Sequence, residues 1–378
     1  MHSLEERLAQ KVDRRKNNNA FRQLHGKSKG IDFCSNDYLG LAKAPEIHEK
    51  ITQLYVSGYP LGSTGSRLIS GDSSEYQSLE RYLSHFHNGQ SALIFNSGYD
   101  ANVGFFSTIP QRGDIIFYDE LCHASIRDGI RLSLAKSYSF IHNDIDALRR
   151  KLELANGTVF VCVESIYSMD GDIAPLEALV ALCVEFDANI IVDEAHSTGI
   201  YGDKGEGLIV SLNLQDKVFA RLHTFGKAMG AHGAAWISST ILKDYLINYC
   251  NSFIYTTALP GHSLAHIQSA YNYLSENPSR IQKLHQNIKL FKELVAKNKI
   301  SGFISSNSPI QSCIISGNIY VKAVAAYLQE NGFNVRPILH PAVPEGKERI
   351  RICLHTYNMD YEIIGFMKTL KVGLSNLS

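Results

Sequence analysis

Two segments in the middle of the chain decide how it is expected to fold. They are Ile190-Ile191-Val192-Asp193-Glu194-Ala195-His196 and His223-Thr224-Phe225-Gly226-Lys227-Ala228-Met229-Gly230. The first ends an apolar run on an aspartate, and the second follows an apolar run and places a lysine between two glycines. Short apolar runs that are bounded by Gly, Asp or Asn are typical of buried strands. We therefore expect one strand to end at Asp193 and another to end at Thr224, just before Lys227.

Similar apolar runs lie on both sides of these segments and alternate with stretches long enough for helices. The candidate strands are Ala92–Phe95, Ile115–Tyr118, Ser137–Ile141, Thr158–Val163, Asn189–Asp193, Val218–Thr224 and Gly233–Ser238. Such alternation predicts an α/β fold with a mostly parallel, seven-stranded central sheet that is flanked by helices. Ligands bind beyond the carboxyl ends of the strands in sheets of this kind, which is where Asp193 and Lys227 are expected.

The pattern changes near His262, which indicates a second, smaller domain. Two helical patterns are followed by short candidate strands near Gln311–Ile315, Asn334–Pro337 and Arg349–Leu354, and by a last helix after Asn358. The sequence thus predicts three parts. They are an N-terminal helix and arm (1–44), a large domain (45–265) and a small α+β domain (266–378).

The composition excludes several classes of function. The 378 residues include 37 Lys and Arg and 37 Asp and Glu, so the formal net charge is zero. This balance argues against broad binding of nucleic acid or acidic membranes. The seven cysteines are scattered, no signal peptide is recognised, and no apolar stretch approaches the length of a membrane span. No motif of metal-ligand spacing occurs, so we expect a cytoplasmic protein without a metal site.

Lys227 and Asp193 each allow two interpretations. A lysine nucleophile must be neutral for part of the time, and flanking glycines let a cofactor approach closely. An ordinary surface lysine in a glycine-rich turn is the alternative. Asp193 either caps the next helix or faces a ligand. A phosphate-loop interpretation fails, because Arg221 stands where that motif needs glycine and Ala228 replaces its Ser or Thr. Together, an imine-forming lysine and an aspartate beside a heteroaromatic nitrogen indicate pyridoxal phosphate chemistry.

Other polar segments follow the predicted strands and also allow two interpretations. Asn96-Ser97-Gly98-Tyr99 precedes a probable helix, whose N–H groups could bind a phosphate, or it is an ordinary turn. His123 could stack on a planar cofactor or cap a helix, and His196 could be a core or capping residue. The segment 164–172 offers hydroxyl groups to a ligand or forms a polar turn.

Arg349 and Arg351 lie two residues apart in a predicted strand, so both side chains point to the same face. Two guanidinium groups on one face suit the bidentate recognition of a carboxylate. A solvent-facing edge strand that carries two charges is the alternative.

Five motifs that occur in order along the chain resemble those of one enzyme family. They are Ser35-Asn36-Asp37-Tyr38-Leu39-Gly40-Leu41, Gly62-Ser63-Thr64-Gly65-Ser66-Arg67, Ser168-Met169-Asp170-Gly171-Asp172, Asp193-Glu194-Ala195-His196 and Thr224-Phe225-Gly226-Lys227. They are similar to motifs of the α-oxoamine synthases, a family of fold-type-I pyridoxal phosphate enzymes. The resemblance extends from about Arg22 to the C-terminal helix.

The resemblance implies roles for individual residues. The implied catalytic residues are Lys227, which forms the imine with the cofactor, Asp193, which pairs with its pyridine nitrogen, and His123, which stacks on its ring. The cofactor-binding set is Gly98, Tyr99, His123, Ser168, Asp193, His196, Thr224 and Lys227, with Thr256 and Thr257 reaching the cofactor of a neighbouring subunit. The implied substrate-binding residues are Arg22, Asn36, Ser66 and Arg351, of which Arg351 binds the amino-acid carboxylate.

The same resemblance implies an activity and its partners. The expected reaction is the decarboxylative condensation of L-alanine with a pimeloyl thioester, carried by CoA or by a carrier protein, in biotin biosynthesis. The expected assembly is a homodimer with active sites at its interface, with no nucleic-acid or membrane partner. The alternatives are a glycine C-acetyltransferase or a serine palmitoyltransferase-like enzyme of the same family. More distant alternatives are a nucleotide-dependent oxidoreductase, which lacks its glycine fingerprint here, and a non-catalytic paralogue.

Overall fold

The computed structural model describes residues 3–24, 26, 29–58 and 60–376. The helices are α1 Leu4–Asn17, α2 Pro45–Val56, α3 Ser74–Phe86, α4 Gly98–Thr108, α5 Ala124–Leu132, α6 Ile145–Leu152, α7 Leu176–Glu185, α8 Leu208–Ser211, α9 Thr240–Tyr249, α10 Asn251–Ile254, α11 Gly261–Glu276, α12 Ser279–Asn298, α13 Asn318–Glu330 and α14 Asp360–Ser375. The strands are β1 Ile31–Asp32, β2 Ser91–Phe95, β3 Ile115–Asp119, β4 Lys136–Phe140, β5 Val159–Glu164, β6 Asn189–Asp193, β7 Ala220–Thr224, β8 Ala234–Ser238, β9 Ile310–Ile314, β10 Phe333–Asn334, β11 Arg336–Ile338 and β12 Arg349–Cys353.

A seven-stranded sheet forms the centre of the larger part of the chain. Its strand order is β2-β8-β7-β6-β5-β3-β4, and only β8 runs antiparallel to its neighbours. Strands β2, β5, β7 and β8 are buried along their whole length, as their apolar composition requires. The edge strand β4 is polar and mostly exposed. The predicted mostly parallel sheet of seven strands, flanked by helices, is therefore confirmed.

Helix α4 packs on the face of this sheet that is formed by β7 and β8. The rings of Phe105 on α4 and Trp236 on β8 lie 4.4 Å apart between centroids, and the indole Nε1–H of Trp236 donates to the carbonyl oxygen of Ala101 at 3.0 Å. Each large side chain that is fully buried in this way contributes about 1.5–3 kcal/mol. This packing places the N-terminus of α4 next to the carboxyl end of β7.

The contacts divide the chain into two compact units. The first contains the described residues up to Ser35, residues 169–172 and residues 283–376, and the second contains residues 36–168 and 173–282. The first unit includes an antiparallel sheet of order β11-β12-β9 and the short parallel pair of β1 and β10. The sequence predicts a separate arm over residues 1–44, whereas the described residues up to Ser35 group with the C-terminal residues in the structure.

Local contacts explain how distant stretches join the first unit. The hydroxyl of Tyr357 donates to Asp32 Oδ2 at 3.1 Å, and Asn358 Nδ2 donates to the carbonyl oxygen of Asp32 at 3.0 Å. The hydroxyl of Ser312 donates to the carbonyl oxygen of Met169 at 2.6 Å. Asp32 on β1 and Met169 after β5 are thus bonded to a C-terminal loop and to β9, respectively, by polar contacts that periodicity does not reveal.

Two further observations concern the environment of the chain. None of the helices in the described part of the chain is long and apolar enough to span a bilayer. All seven cysteines lie among the described residues, and none of them forms a disulfide.

Candidate active site

The carboxyl ends of β5, β6 and β7 bring three polar residues together. Glu164 is the register partner of Asp193, and Asp193 is the register partner of Leu222, two residues before Thr224. Asp193 and Thr224 end their strands, as the sequence predicts. Because neighbouring parallel strands end at the same edge of a sheet, these residues form one polar rim.

Asp193 is a buried carboxylate that accepts hydrogen bonds from two neutral groups. It is 6% exposed, and its Oδ2 accepts from Asn102 Nδ2 at 2.9 Å while its Oδ1 accepts from the backbone N–H of Ala195 at 2.9 Å. A buried carboxylate requires a cationic or strong hydrogen-bonding partner. A protonated ring nitrogen would supply that partner.

The contacts of His123 determine which of its nitrogens carries the proton. Its Nδ1 accepts from the backbone N–H of Ser125 at 3.2 Å and lies 2.8 Å from the Ser125 hydroxyl. That hydroxyl accepts from Asn102 Nδ2 at 3.1 Å, so its own proton points to His123 Nδ1. The neutral His123 ring therefore carries its proton on Nε2. Asn102 thus links Asp193 to His123, because its amide donates one hydrogen to Asp193 Oδ2 and the other to the Ser125 hydroxyl that contacts His123.

Lys227 lies in the turn after β7 and is half-buried. The turn is closed by backbone bonds from Gly230 to Lys227 at 2.9 Å and from Ala231 to Phe225 at 2.8 Å. Gly230 has a φ of 61°, and a Cβ atom there would lie 2.2 Å from the backbone nitrogen of Ala42. Only glycine fits this position, so the turn that carries Lys227 has a defined shape.

The charge of Lys227 lowers the pKa values of two neighbouring groups, His123 and Glu164. Burial and the Lys227 ammonium lower the pKa of His123, although Asp193 opposes the shift. Glu164 is buried, and its Oε1 accepts from the backbone N–H of His123 at 2.6 Å. Burial and then the charge of Asp193 raise the pKa of Glu164 to about 8, against the effect of Lys227. At neutral pH Glu164 is therefore mostly protonated.

The N-terminus of α4 faces Thr224. The Ser97 side chain caps the helix by accepting from the N–H of Asp100 at 3.0 Å, so the N–H groups of Gly98 and Tyr99 have no intrahelical acceptor. A Cβ atom on Gly98 would lie 3.6 Å from Thr224 Oγ1. Two backbone donors and a hydroxyl group close to a helix N-terminus could hold a phosphate. The phenol ring of Tyr99 is partly exposed and lies edge-on to His123.

His196 and Asn36 are joined through Tyr38. The Tyr38 hydroxyl donates to Asn36 Oδ1 at 3.0 Å, so it accepts from His196 Nδ1, which lies 2.8 Å away. His196 and Tyr38 are both buried. Two predicted site residues that are 160 positions apart are thus brought together by Tyr38, for which the sequence predicts no role.

Thr256 and Thr257 are held beside the strand end of β2. Asn96 Nδ2 donates to Thr256 Oγ1 at 3.0 Å and to the carbonyl oxygen of Thr257 at 2.8 Å. The next residue, Ala258, donates its N–H to the carbonyl oxygen of Gly65 at 3.0 Å. The loop that contains Ser66 is therefore fixed to the same segment.

The remaining predicted site residues occupy less informative positions. Ser168 is half-buried in the turn that follows β5. Arg22 is exposed and lies outside the helices and strands. Arg351 is half-buried on β12, where its Nη1 lies 3.1 Å from Cys353 Sγ. The roles of all these residues in binding stay predictions.

The interpretation of Arg349 and Arg351 as a joint carboxylate site is wrong for Arg349. The guanidinium of Arg349 is buried and forms an ion pair with Asp170, and its Nε donates to the carbonyl oxygen of Lys347 at 2.9 Å. A buried guanidinium needs such a counter-charge. The edge-strand alternative is also wrong, because β12 lies between β11 and β9.

Four residues of the site were not predicted as such, namely Tyr38, Asn102, Ser125 and Glu164. Asn102 could have been predicted from helical periodicity, because it follows Gly98 by four residues and so lies one turn further on the same face of α4. The others depend on contacts between separate elements. Glu164 ends β5 beside Asp193, but its protonation depends on its burial.

We predict that Glu164→Gln changes the pH dependence of stability. The native carboxyl, with a pKa of about 8 instead of its usual 4.5, keeps a proton that the unfolded chain releases. Stability is therefore highest below about pH 4.5 with respect to this group, decreases as the pH rises to about 8, and is level above that. Glutamine keeps the acceptor for His123 but has no proton to lose. Denaturant unfolding between pH 5 and 8 should show a slope that changes by about 1.4 kcal/mol per pH unit in the variant.

The exposed Glu177→Gln provides the control for this measurement, since it makes the same chemical change outside the site. It should leave the slope unchanged. An unchanged slope in Glu164→Gln would mean that Glu164 is ionised in the native protein.

Comparison with known proteins places this site in a family. The family model for aminotransferase class I and II matches residues 28–364. An 8-amino-7-oxononanoate synthase of Emericella nidulans is 42% identical over 93% of this chain and 90% of its own length. One from Lysinibacillus sphaericus is 36% identical over 93% and 90%.

Solved structures agree with the fold. A serine palmitoyltransferase of Sphingomonas wittichii has a TM-score of 0.91 at 26% identity and covers 99% of both chains. An 8-amino-7-oxononanoate synthase of Francisella tularensis has a TM-score of 0.80 at 29% identity, over 92% of this chain and 98% of its own. From the matched family model and the near full-length relatives, the chain belongs to the aminotransferase class I and II family.

Proposed function

We propose that this chain is a pyridoxal-phosphate-dependent acyltransferase. It condenses L-alanine with a pimeloyl thioester and releases 8-amino-7-oxononanoate, carbon dioxide and a free thiol. The observation that carries the proposal is the 36–42% identity to 8-amino-7-oxononanoate synthases over about nine-tenths of both chains. The position of Asp193, Lys227 and the α4 N-terminus in one unit supports it.

The residues present fit pyridoxal phosphate. The buried carboxylate of Asp193, which accepts from Asn102 Nδ2, suits a protonated pyridine nitrogen. Gly98, Tyr99 and Thr224 offer donors for the phosphate. When it is bound, the cofactor withdraws electrons from the α-carbon of an attached amino acid. Ser168 and His196 bind the ring oxygen, as the resemblance to the α-oxoamine synthases implies.

Asp193 and His123 act on opposite parts of the bound ring. Asp193 would hold a proton on the pyridine nitrogen, and the hydrogen bond from Asn102 fixes the orientation of its carboxylate. His123 stacks on the ring and keeps Nε2–H available as a donor, because Ser125 occupies its Nδ1. A donor at this position can stabilise the negative charge that develops on the thioester oxygen during attack.

Lys227 would hold the cofactor through its carbonyl carbon, and its amine also moves a proton. Its neutral Nζ takes the α-proton of alanine, after which the α-carbon bonds to the thioester carbonyl carbon. The C–S bond breaks, and the thiolate that leaves takes a proton from solvent. The carboxyl group of the former alanine departs as carbon dioxide, and Lys227 Nζ returns a proton to the same carbon. Arg351 binds the alanine carboxylate, while Arg22, Asn36 and Ser66 line the acyl entrance.

The functional assembly is a homodimer in the cytoplasm. An exposed aromatic surface in the second unit supports the dimer: Tyr245, Tyr249 and Tyr255, with Leu132, border an open groove of about 730 Å³. Exposed apolar surfaces of this kind are typical of protein interfaces. The adjoining Thr256 and Thr257 would reach the cofactor of the second subunit. The absence of disulfides among the seven cysteines supports a reducing compartment.

A panel of substrates separates this proposal from the serine palmitoyltransferase alternative, which the structural similarity to that enzyme keeps open. Alanine, glycine and serine are each combined with pimeloyl-CoA, acetyl-CoA and palmitoyl-CoA, and thiol release is measured. We expect alanine with pimeloyl-CoA to have the highest kcat/KM by at least about tenfold, since pockets discriminate chain length to this degree. A preference for serine with palmitoyl-CoA would contradict the substrate assignment but not the cofactor chemistry.

The Lys227→Ala variant should lose all turnover and the visible absorbance of lysine-bound cofactor. The reason is that no other residue can supply the amine in the same turn. The exposed Lys204→Ala is the matched control and should keep both properties. A coloured, active Lys227→Ala protein would overturn the role of Lys227.

The Asn102→Leu variant should bind the cofactor more weakly by about tenfold to a hundredfold. Leucine has a similar volume but cannot donate to Asp193, and a hydrogen bond to a charged group contributes about 1.5–3 kcal/mol. The measurement is an equilibrium titration of the apo-protein with pyridoxal phosphate, and the exposed Asn248→Leu is the control. Unchanged affinity would show that Asn102 does not support Asp193.

A further inference from the structure

A second polar group of residues lies on the opposite face of the sheet from Asp193 and Thr224. Successive residues of a strand point to opposite faces, so Glu194, Arg221 and His223 project away from the cofactor side. With His87 they form what we term the back cluster. All four residues are at most 2% exposed. Charged and titratable groups so deeply buried require partners for their polar atoms.

His87 is neutral and has both ring nitrogens satisfied. Its Nδ1 donates to the carbonyl oxygen of Glu206 at 2.8 Å, and its Nε2 accepts from the Tyr271 hydroxyl at 2.9 Å. Burial, with the charge of Arg221, lowers the pKa of His87 to about 3. Its ring stacks on that of His223, with centroids 3.7 Å apart. His87 therefore packs against His223 as a neutral ring and adds no charge to the cluster.

The protonation of His223 follows from Thr198. The Thr198 hydroxyl donates to the carbonyl oxygen of Glu194 at 2.7 Å, so it accepts from His223 Nδ1, which lies 2.9 Å away. Burial lowers the pKa of His223 well below its usual value, and His87 and Arg221 add to the shift. The ring is neutral with its proton on Nδ1, and Nε2 is an acceptor.

Glu194 is the counter-charge of Arg221. A guanidinium stays protonated inside proteins, and Glu194 is the strongest attractive influence on Arg221. Glu194 Oε2 accepts from the Ser197 hydroxyl at 2.8 Å and from the N–H of Ile209 at 3.2 Å. Arg221 Nη2 donates to the carbonyl oxygen of His87 at 2.6 Å. Glu194 Oε1 and Arg221 Nη1 are left without a hydrogen-bond partner among the described residues.

Three buried atoms of the back cluster have no hydrogen-bond partner among the described residues: Glu194 Oε1, His223 Nε2 and Arg221 Nη1. The first two are acceptors that lie 3.8 Å apart, so they cannot bond to each other. Arg221 is a donor whose charge acts on both of them. A water molecule offers two donors and at least one acceptor, which matches this set.

We propose that Glu194 Oε1, His223 Nε2 and Arg221 Nη1 bind one buried water molecule, which ties the end of β6 to the end of β7. Glu194 directly follows Asp193, and His223 directly precedes Thr224. The bound water is thus one residue away from two cofactor-binding positions on the other face. Glu194, Arg221 and His223 are positioning residues for the cofactor site, and this second part alone rests on the proposed function.

The first test is a crystal structure of the wild-type protein, apo and with cofactor, at a resolution that shows ordered water. We expect a single peak about 2.7–3.2 Å from all three atoms in both forms. A direct bond between Glu194 and Arg221 or His223, with no peak between them, would overturn the site. A peak that refines as a heavier ion would also overturn it. Neither outcome depends on the enzymatic activity.

The second test compares His223→Leu with Tyr271→Phe. His223→Leu removes a water ligand, so the peak should disappear, the affinity for pyridoxal phosphate should fall by about tenfold, the equivalent of one hydrogen bond, and the circular dichroism of the bound cofactor should change. Tyr271→Phe removes a hydrogen bond from the same cluster but no water ligand, and it should keep the peak, the affinity and the spectrum.

The readouts separate positioning from general destabilisation. If both variants lose stability equally but only His223→Leu changes the cofactor spectrum, the positioning role is supported. Wild-type affinity and spectrum in His223→Leu, or equal losses of affinity in both variants, would contradict it. If His223→Leu fails to fold, the wild-type structures still decide whether the water site exists.

Discussion

The carboxylate of Asp193 is the charge on which the arrangement of the site depends. It lies at the end of a buried strand, where hydration is lost, and it accepts hydrogen bonds from an amide and a backbone N–H of the protein. A buried carboxylate is tolerated when a further hydrogen-bond donor or cation binds it. The same requirement explains the placement of α4, which brings Asn102 to the carboxylate and its own N-terminus to Thr224. In the proposed function, one helix would thus serve both the ring and the phosphate of the cofactor.

A second carboxyl group adjoins Asp193, and burial decides which of the two keeps its charge. Glu164 is the register partner of Asp193 on the next strand, so both could not be ionised without strong repulsion. The raised pKa of Glu164 assigns the proton to it. As a neutral group it still accepts from the backbone of His123 and holds that residue in place. The negative charge of the rim is thereby concentrated at Asp193.

The carboxyl ends of β6 and β7 carry different sets of polar residues on the two faces of the sheet. On one face Asp193 and Thr224 point to the cofactor side, whereas on the other Glu194 and His223 belong to a closed polar cluster that has no access to solvent. The alternation of side chains along a strand couples these faces, because one backbone carries both sets. Any contact that shifts the back cluster is therefore transmitted to the cofactor side through a single peptide unit.

Local signals in the sequence were sufficient to predict most of the helices and strands and the candidate site residues. Hydrophobic runs and their polar ends were sufficient to locate the strands, the helix that starts at Gly98, Asp193 and Lys227, because these signals are local. The tertiary structure alone decided which groups satisfy those residues. Asn102 is 91 positions from Asp193, and Asp170 is 179 positions from Arg349, which it neutralises. No periodicity links residues so far apart, and the protonation of Glu164, His123 and His223 depends on burial and on partners that only the folded chain brings into contact.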